Sequence, residues 1–243
     1  MPLRQKMAVF RARPQGRRRG HGVCAVRRAM SSSAPSSPQA MPCTPESDTL
    51  ARSSNVARGL REMNFCSQCG EAVRLSIPEG DNLPRHVCES CGTIHYQNPK
   101  LVIGCIAEWQ GKVLLCRRSI APRYGLWTLP AGFMENGETT RQAALRETLE
   151  EACARIDLGD PFSLVNIPHI NQVHLFYRAR LRDTGFAAGL ETLETALFAE
   201  QAIPWPELAF QSVTLCLRAY FADRKAGHFV LHEDELPAAN KKA

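Results

Sequence analysis

The sequence predicts an α/β domain with a mixed sheet between helices, preceded by a small metal-bound module and a disordered basic tail. Three observations carry this expectation. Apolar, β-branched runs and one alternating stretch mix with helical patterns, without a regular strand–helix–strand repeat. Two Cys-x-x-Cys pairs, separated by eighteen residues, stand ahead of the first long apolar run. The first 62 residues are rich in Arg, Ser, Ala and Pro and show no sustained apolar period.

Residues 1–62 hold too little apolar surface to offset chain entropy, so a disordered tail is expected, with residues 31–42 as a flexible linker. Residues 1–45 carry nine basic side chains and no acid; the chain's formal +6 therefore leaves −3 for the remainder. The basic balance belongs to the tail, and the folded part offers no electrostatic case for nucleic acid. Arg27 and Arg28 interrupt the only mildly apolar stretch, which argues against a secretory signal. An arginine-rich, acid-free start has the character of an organelle transit peptide, and a start assigned upstream of a functional Met63 would look the same. No apolar run approaches the roughly 18 residues of a membrane span. Of ten cysteines, four form the two pairs and the rest are scattered singly, a pattern of a reducing compartment. The expected location is cytoplasmic, or an organelle if the tail is an address.

Residues 63–100 form the metal-bound module. Cys66, Cys69, Cys88 and Cys91 supply four thiolates on two knuckles, each pair followed at once by glycine, Gly70 and Gly92. Four sulfurs fill the tetrahedral set of a structural zinc and leave no open position for catalysis. A segment this small has too little core to fold unaided, and the metal supplies the missing stability. The module resembles a zinc ribbon. His86 and His95 lie near the cysteines and are read as surface residues rather than ligands. The segment is not a basic, aromatic strip, so a folding or homodimerisation role is expected.

The main domain is assigned to residues 101–230. Residues 101–108 and 112–117 read as strands around the turn at Trp109-Gln110-Gly111. A loop through Pro122 and Gly125 leads to a short strand at Trp127, which delivers the chain to Gly132. Thr139 with Gln142 has the form of a capping box, so a helix begins there. Strands are expected at 162–167, 173–181 and, as the last, 194–203. Val213, Leu217, Tyr220 and Phe221 share one face of a closing helix. Residues 231–243 are assigned to a C-terminal tail. No dinucleotide-binding G-x-G-x-x-G follows the first strand.

On the helix after Thr139, Glu147, Glu150 and Glu151 fall within roughly 100° of arc. Their crowding costs about 0.2–0.5 kcal/mol per like-charged pair, offset in part by Arg146 toward Glu150 and Arg155 toward Glu151. Taken alone, the helix is either a solvated charged face or a site for a hard divalent cation.

The stretch from Gly132 decides between them. Gly132, Glu138, Arg146, Glu147, Thr148, Glu150, Glu151 and Ala154 fall in register with G-x5-E-x7-R-E-U-x-E-E-x-G-U. That spacing is the signature of the Nudix hydrolases, which this chain closely resembles. Through Phe65-Cys66 and Tyr96-Gln97-Asn98-Pro99 it also resembles a zinc-ribbon subgroup of bacterial Nudix proteins and plant plastid enzymes acting on FAD. One position departs: Cys153 replaces the family glycine. Glycine there ends the helix in a left-handed conformation, which would cost cysteine about 1 kcal/mol, so a different local exit is expected.

The resemblance implies a Nudix-type α/β/α sandwich and hydrolysis of a pyrophosphate bond. It implies Mg²⁺ or Mn²⁺ held by Glu147, Glu150, Glu151 and the Gly132 carbonyl. Glu150 or Glu151 would take the proton from water, and Arg146 would pair with Glu138 to orient the carboxylates. FAD or ADP-ribose, cleaved to AMP plus a phosphate ester, is the favoured substrate, and a damaged nucleoside triphosphate is the alternative. NADH is disfavoured, because residues 155–180 lack the aromatic-proline motif of NADH-cleaving members, while Pro168 stands about where ADP-ribose-cleaving members place a proline. A non-catalytic, ADP-ribose-sensing DNA-binding regulator is the rival class, opposed by the complete glutamate set. Arg118, Trp127, Phe133 and Tyr177 are the candidate substrate contacts, with Trp109, Arg117, Arg123 and Phe176 behind them.

Overall fold

A computed structural model describes residues 63–238; the tail and its targeting readings lie outside the described residues. Among the described residues two sheets are present. The first is an antiparallel meander of β1 (Val73–Ser76), β2 (Arg85–Cys88) and β3 (Ile94–His95). Its two knuckles repeat one geometry: Gly70 N–H donates to Cys66 O and Gly92 N–H to Cys88 O, both at 2.9 Å. Both glycines have positive φ, 81° and 73°. This is the backbone turn that brings two thiols of a Cys-x-x-Cys pair to one point, and glycine adopts it without strain.

The second sheet has eight strands. Its members in chain order are β4 (Lys100–Trp109), β5 (Lys112–Arg118), β6 (Trp127–Thr128) and β7 (Ala131–Phe133). After the helix α1 (Thr140–Ala152) come β8 (Ile156–Ile167), β9 (Gln172–Leu181) and β10 (Thr192–Phe198). The helix α2 (Gln211–Ala226) precedes β11 (His232–Glu235). β4 runs parallel to β9 and β11 parallel to β8, whereas β8 is antiparallel to β9 and β5 to β10. The sheet is mixed.

Strand alternation sends one set of side chains to each face. Ile103, Cys105, Tyr177, Ala179 and Leu181 pack on Ala143, Ala144 and Ala152 of α1. Ile106, Phe162 and Phe176 pack on Val213, Cys216, Leu217, Tyr220 and Phe221 of α2. The result is the α/β/α sandwich. Small alanines on the buried face of α1 let the helix lie close to the sheet.

β4 and β5 stay paired only near their hairpin end, at Glu108–Val113 and Trp109–Lys112. Farther along, β7 takes the edge of β4 and β6 takes that of β5. The two central strands therefore part, and the short strands around Pro130 line the opening.

Three elements differ from the sequence expectation. β8 begins at Ile156, six residues early, because Pro161 sits between two register shifts, where its missing N–H costs no ladder bond. β10 ends at Phe198, and the chain passes into 3-10 turns at Glu200–Ala202 and Trp205–Glu207. Residues assigned to a C-terminal tail form β11, whose acidic sequence carries no apolar alternation and joins through backbone pairing with Ser163–Asn166. Among the described residues, no helix is long and apolar enough to cross a membrane.

Candidate active site

Both ends of α1 are tightly fixed. Thr139 Oγ1 accepts from Gln142 N–H at 3.2 Å, and Gln142 Oε1 accepts from Thr139 N–H at 2.8 Å, completing the capping box. Cys153 ends the helix with φ 49° and ψ 25°, its N–H donating to Leu149 O at 2.9 Å. The helix exit thus keeps the left-handed geometry, contrary to the expectation that cysteine would alter it. The segment after β9 holds this end in place, with Ala187 N–H donating to Ala152 O at 2.9 Å and Gly189 N–H to Glu151 O at 3.0 Å. Cys153→Gly should stabilise the protein by about 0.5–1 kcal/mol, the relief of the left-handed strain less the entropy glycine adds to the unfolded chain. Urea unfolding of the two proteins checks this, and a destabilised variant would contradict it.

Arg146 organises the acidic cluster. Its Nε donates to Glu138 Oε2 at 3.1 Å and its Nη2 to Glu138 Oε1 at 2.6 Å, a two-point bond. Nη2 also reaches Phe133 O at 3.1 Å, while Nη1 donates to Glu147 Oε1 at 2.6 Å and Glu150 Oε2 at 3.0 Å. One guanidinium thereby ties the loop before α1 to two glutamates of the helix. These bonds hold the Glu138 carboxyl below its ordinary range.

Glu147 and Glu151 are 8% and 7% exposed. Burial raises the carboxyl of Glu147 despite Arg146, and pushes that of Glu151 up to about 7. Ala131 N–H donates to Glu151 Oε2 at 3.0 Å, which opposes this shift without cancelling it. Glu150 is different, its side chain 58% exposed. Gly132 lies against the cluster: a Cβ there would fall on the carboxylate of Glu147.

These groups line one side of a cavity of about 1070 Å³. Gly132, Arg146, Glu147, Glu150, Glu151, Arg118 and Phe133 all border it. Arg118 stacks on Phe210 at 5.1 Å, and Lys100 Nζ sits 5.0 Å from the Phe133 ring. Trp127 and Tyr177 do not belong to the cavity wall, correcting the sequence assignment of both as substrate contacts. Trp127 is buried edge-to-face on Phe198 at 4.9 Å. Tyr177 is buried on the α1 face, its hydroxyl 2.7 Å from Thr140 Oγ1. The sequence reading missed Gln172, His174, Glu191 and Ser212, which also border the cavity. Parity along β9 was the available signal, since Gln172, His174 and Phe176 share a face that Tyr177 leaves.

Among the described residues, one group of side chains is gathered closely enough to hold a metal ion. The Sγ atoms of Cys66, Cys69, Cys88 and Cys91 lie within 4.8 Å of one another. Cys66–Cys91 and Cys69–Cys88 are separated by 3.6 and 3.5 Å, near the ~3.8 Å edge of a tetrahedron with ~2.3 Å metal–sulfur bonds. His95 Nε2 lies 3.3 Å from Cys66 Sγ and His86 is buried, so neither is the surface residue the sequence suggested. The carboxylates of Glu147, Glu150 and Glu151 are not drawn to one point in this way. Hard oxygens, two of them in desolvated carboxyls, fit a hard divalent cation. Glu147 and Glu150 both turn to Arg146 Nη1 instead.

Comparisons with known proteins agree with this picture. A family model of the NUDIX domain matches residues 98–209, and one described as Nudix N-terminal, a zinc ribbon, matches residues 64–97. A NUDIX hydrolase of known crystal structure from Nitrosomonas europaea is 53% identical, with a TM-score of 0.70 over 72% of this chain and 99% of that one. The NAD-capped RNA hydrolase NudC of Photobacterium profundum is 32% identical over 64% of this chain and 56% of its own length. NudC of Vibrio atlanticus is 35% identical over 44% of this chain and 39% of its own length. The chain thus spans about half, or less, of the curated relatives it matches.

Proposed function

Because the chain belongs to the Nudix hydrolase family, we propose that it cleaves the pyrophosphate bond of an adenine nucleotide joined to a second group, releasing AMP and a phosphate ester. The observation that carries this is the set of desolvated carboxylates, Glu147 and Glu151, on the wall of a cavity large enough for a dinucleotide. Glu147, Glu150, Glu151 and the Gly132 carbonyl would hold Mg²⁺ or Mn²⁺. When bound, such ions neutralise pyrophosphate oxygens and favour attack by water.

The roles of the chain's own groups follow from burial and charge. Glu147 and Glu151 carry the charge that needs a cation. Glu150, open to solvent on the same wall, takes the proton of the attacking water at its carboxylate. The new bond joins water oxygen to phosphorus, and the bond to the bridging oxygen breaks. Arg146 positions Glu138, Glu147 and Glu150 without touching substrate, and Arg118 meets a phosphate. The four cysteines hold a structural zinc.

ADP-ribose and FAD are the favoured substrates. Similarity to the NudC proteins supports a nicotinamide dinucleotide as a second reading, which the sequence alone disfavours. Purified protein with Mg²⁺ should be offered ADP-ribose, FAD, NADH and 8-oxo-dGTP. AMP with the matching phosphate ester is the expected product pair. Pyrophosphate release would instead mean a triphosphate enzyme, and absence of any product would sink the proposal.

A further inference from the structure

The wall of the cavity on the α2 side of the sheet holds a hydrogen-bonded chain that the reaction does not use. Gln172 and His174 project from the same face of β9, and Ser212 lies in the first turn of α2; all three border the cavity. His174 Nδ1 is 2.9 Å from Ser212 Oγ, and His174 Nε2 is 2.9 Å from Gln172 Oε1. Burial lowers the His174 pKa to about 4, so the ring is neutral and carries a single N–H.

The direction of the chain can be deduced. Ser212 is 1% exposed, and its hydroxyl has no other partner among the described residues. A buried hydroxyl proton without an acceptor is costly, so Ser212 O–H donates to Nδ1. The ring proton is then on Nε2, where it donates to Gln172 Oε1. That bond fixes the amide, and its NH₂ group is left without a protein acceptor among the described residues, on a residue of the cavity wall.

Building on the pyrophosphatase reading, we propose that Gln172 is a specificity-determining residue. Its NH₂ group, fixed in orientation by His174 and Ser212, donates to a ring nitrogen or carbonyl of the heteroaromatic base that enters on the α2 side. Ile170 and Phe210 on the same wall supply apolar surface for such a base. Adenine offers ring nitrogens and nicotinamide offers a carboxamide carbonyl, and the test separates them.

AMP and NMN binding should be measured by calorimetry, and hydrolysis of ADP-ribose and NADH with Mg²⁺ by product release, for wild type, Gln172→Met and Ser212→Ala. Gln172→Met, of similar length but without the donor, should weaken AMP binding about tenfold, or about 1.4 kcal/mol. The KM for ADP-ribose should rise by a similar factor while kcat stays within about twofold, the mark of lost binding common to ground and transition states. Ser212→Ala frees the imidazole to take either tautomer and should give a smaller loss, about two- to threefold. Weakened NMN binding with AMP unchanged would place the carboxamide at Gln172, still in support.

Unchanged binding of both nucleotides, or a fall in kcat with KM constant, would overturn the assignment. So would a wild type that binds neither. A wild type that hydrolyses nothing, while Gln172→Met still loses AMP affinity, would remove the pyrophosphatase reading and leave Gln172 standing. Turnover with unaltered KM and binding would do the opposite.

Discussion

Glu151→Gln should reduce turnover by about a thousandfold or more, on the scale of removing a central group from an acid–base and metal-assisted reaction. The substitution is nearly isosteric, and a glutamine carbonyl can still accept from Ala131 N–H, so the helix and cavity should be retained. What disappears is a negative charge, 7% exposed, with one backbone donor of its own. Above about pH 7, where the Glu151 carboxyl is charged, removing it should make the metal-free protein more stable by about 1–3 kcal/mol, although the same change destroys activity. Added Mn²⁺ should raise the melting temperature of wild type and have little effect on Glu151→Gln. Glu150→Gln, at the exposed position, should also lose turnover yet keep most of the metal-induced stabilisation. Near-normal turnover in Glu151→Gln would refute the role given to this residue. Equal metal responses in all three proteins would move the cation elsewhere.

Arg146→Lys should lower activity by about 10- to 100-fold and weaken the metal response by a similar factor. Charge is conserved, so the loss comes from geometry. The guanidinium meets Glu138 at two points while reaching Phe133 O, Glu147 and Glu150 from its remaining edges. An ammonium offers three donors from one point and cannot span those acceptors. The Glu138 side of the cluster would come loose, and Glu147 would keep its burial without its fixed partner. Steady-state rates over a Mg²⁺ titration check this. Full activity with an unchanged metal dependence would show that the guanidinium is a bystander.

The elements that were legible in the sequence are those whose chemistry is local. The capping box at Thr139 and Gln142 fixed the start of α1 within the chain, and the carboxylate spacing placed its functional face. Cys-x-x-Cys followed by glycine described both knuckles, because thiol spacing and backbone turn are one feature. β4, β5 and β9 were visible as apolar or alternating runs. β11 was not, since His232-Glu233-Asp234-Glu235 is held by pairing with β8 rather than by any apolar period. The recognition wall was also hidden, as it forms from the start of β9 and the start of α2, about forty residues apart in sequence. Aromatic identity misled the choice of Trp127 and Tyr177. An aromatic side chain advertises burial, and only strand parity or the finished sheet tells on which side.

Where β4 and β5 part, β6 and β7 fill the space between them, and the cavity borders both short strands. α1 stands on one side of the sheet with the carboxylates, and the Gln172–His174–Ser212 chain stands on the other with α2. A nucleotide bound as proposed would reach both, since one cavity borders them. Changes of base preference could then accumulate on the α2 side without disturbing a single bond of Arg146. A scaffold divided in this way can keep one reaction while the molecules offered to it change.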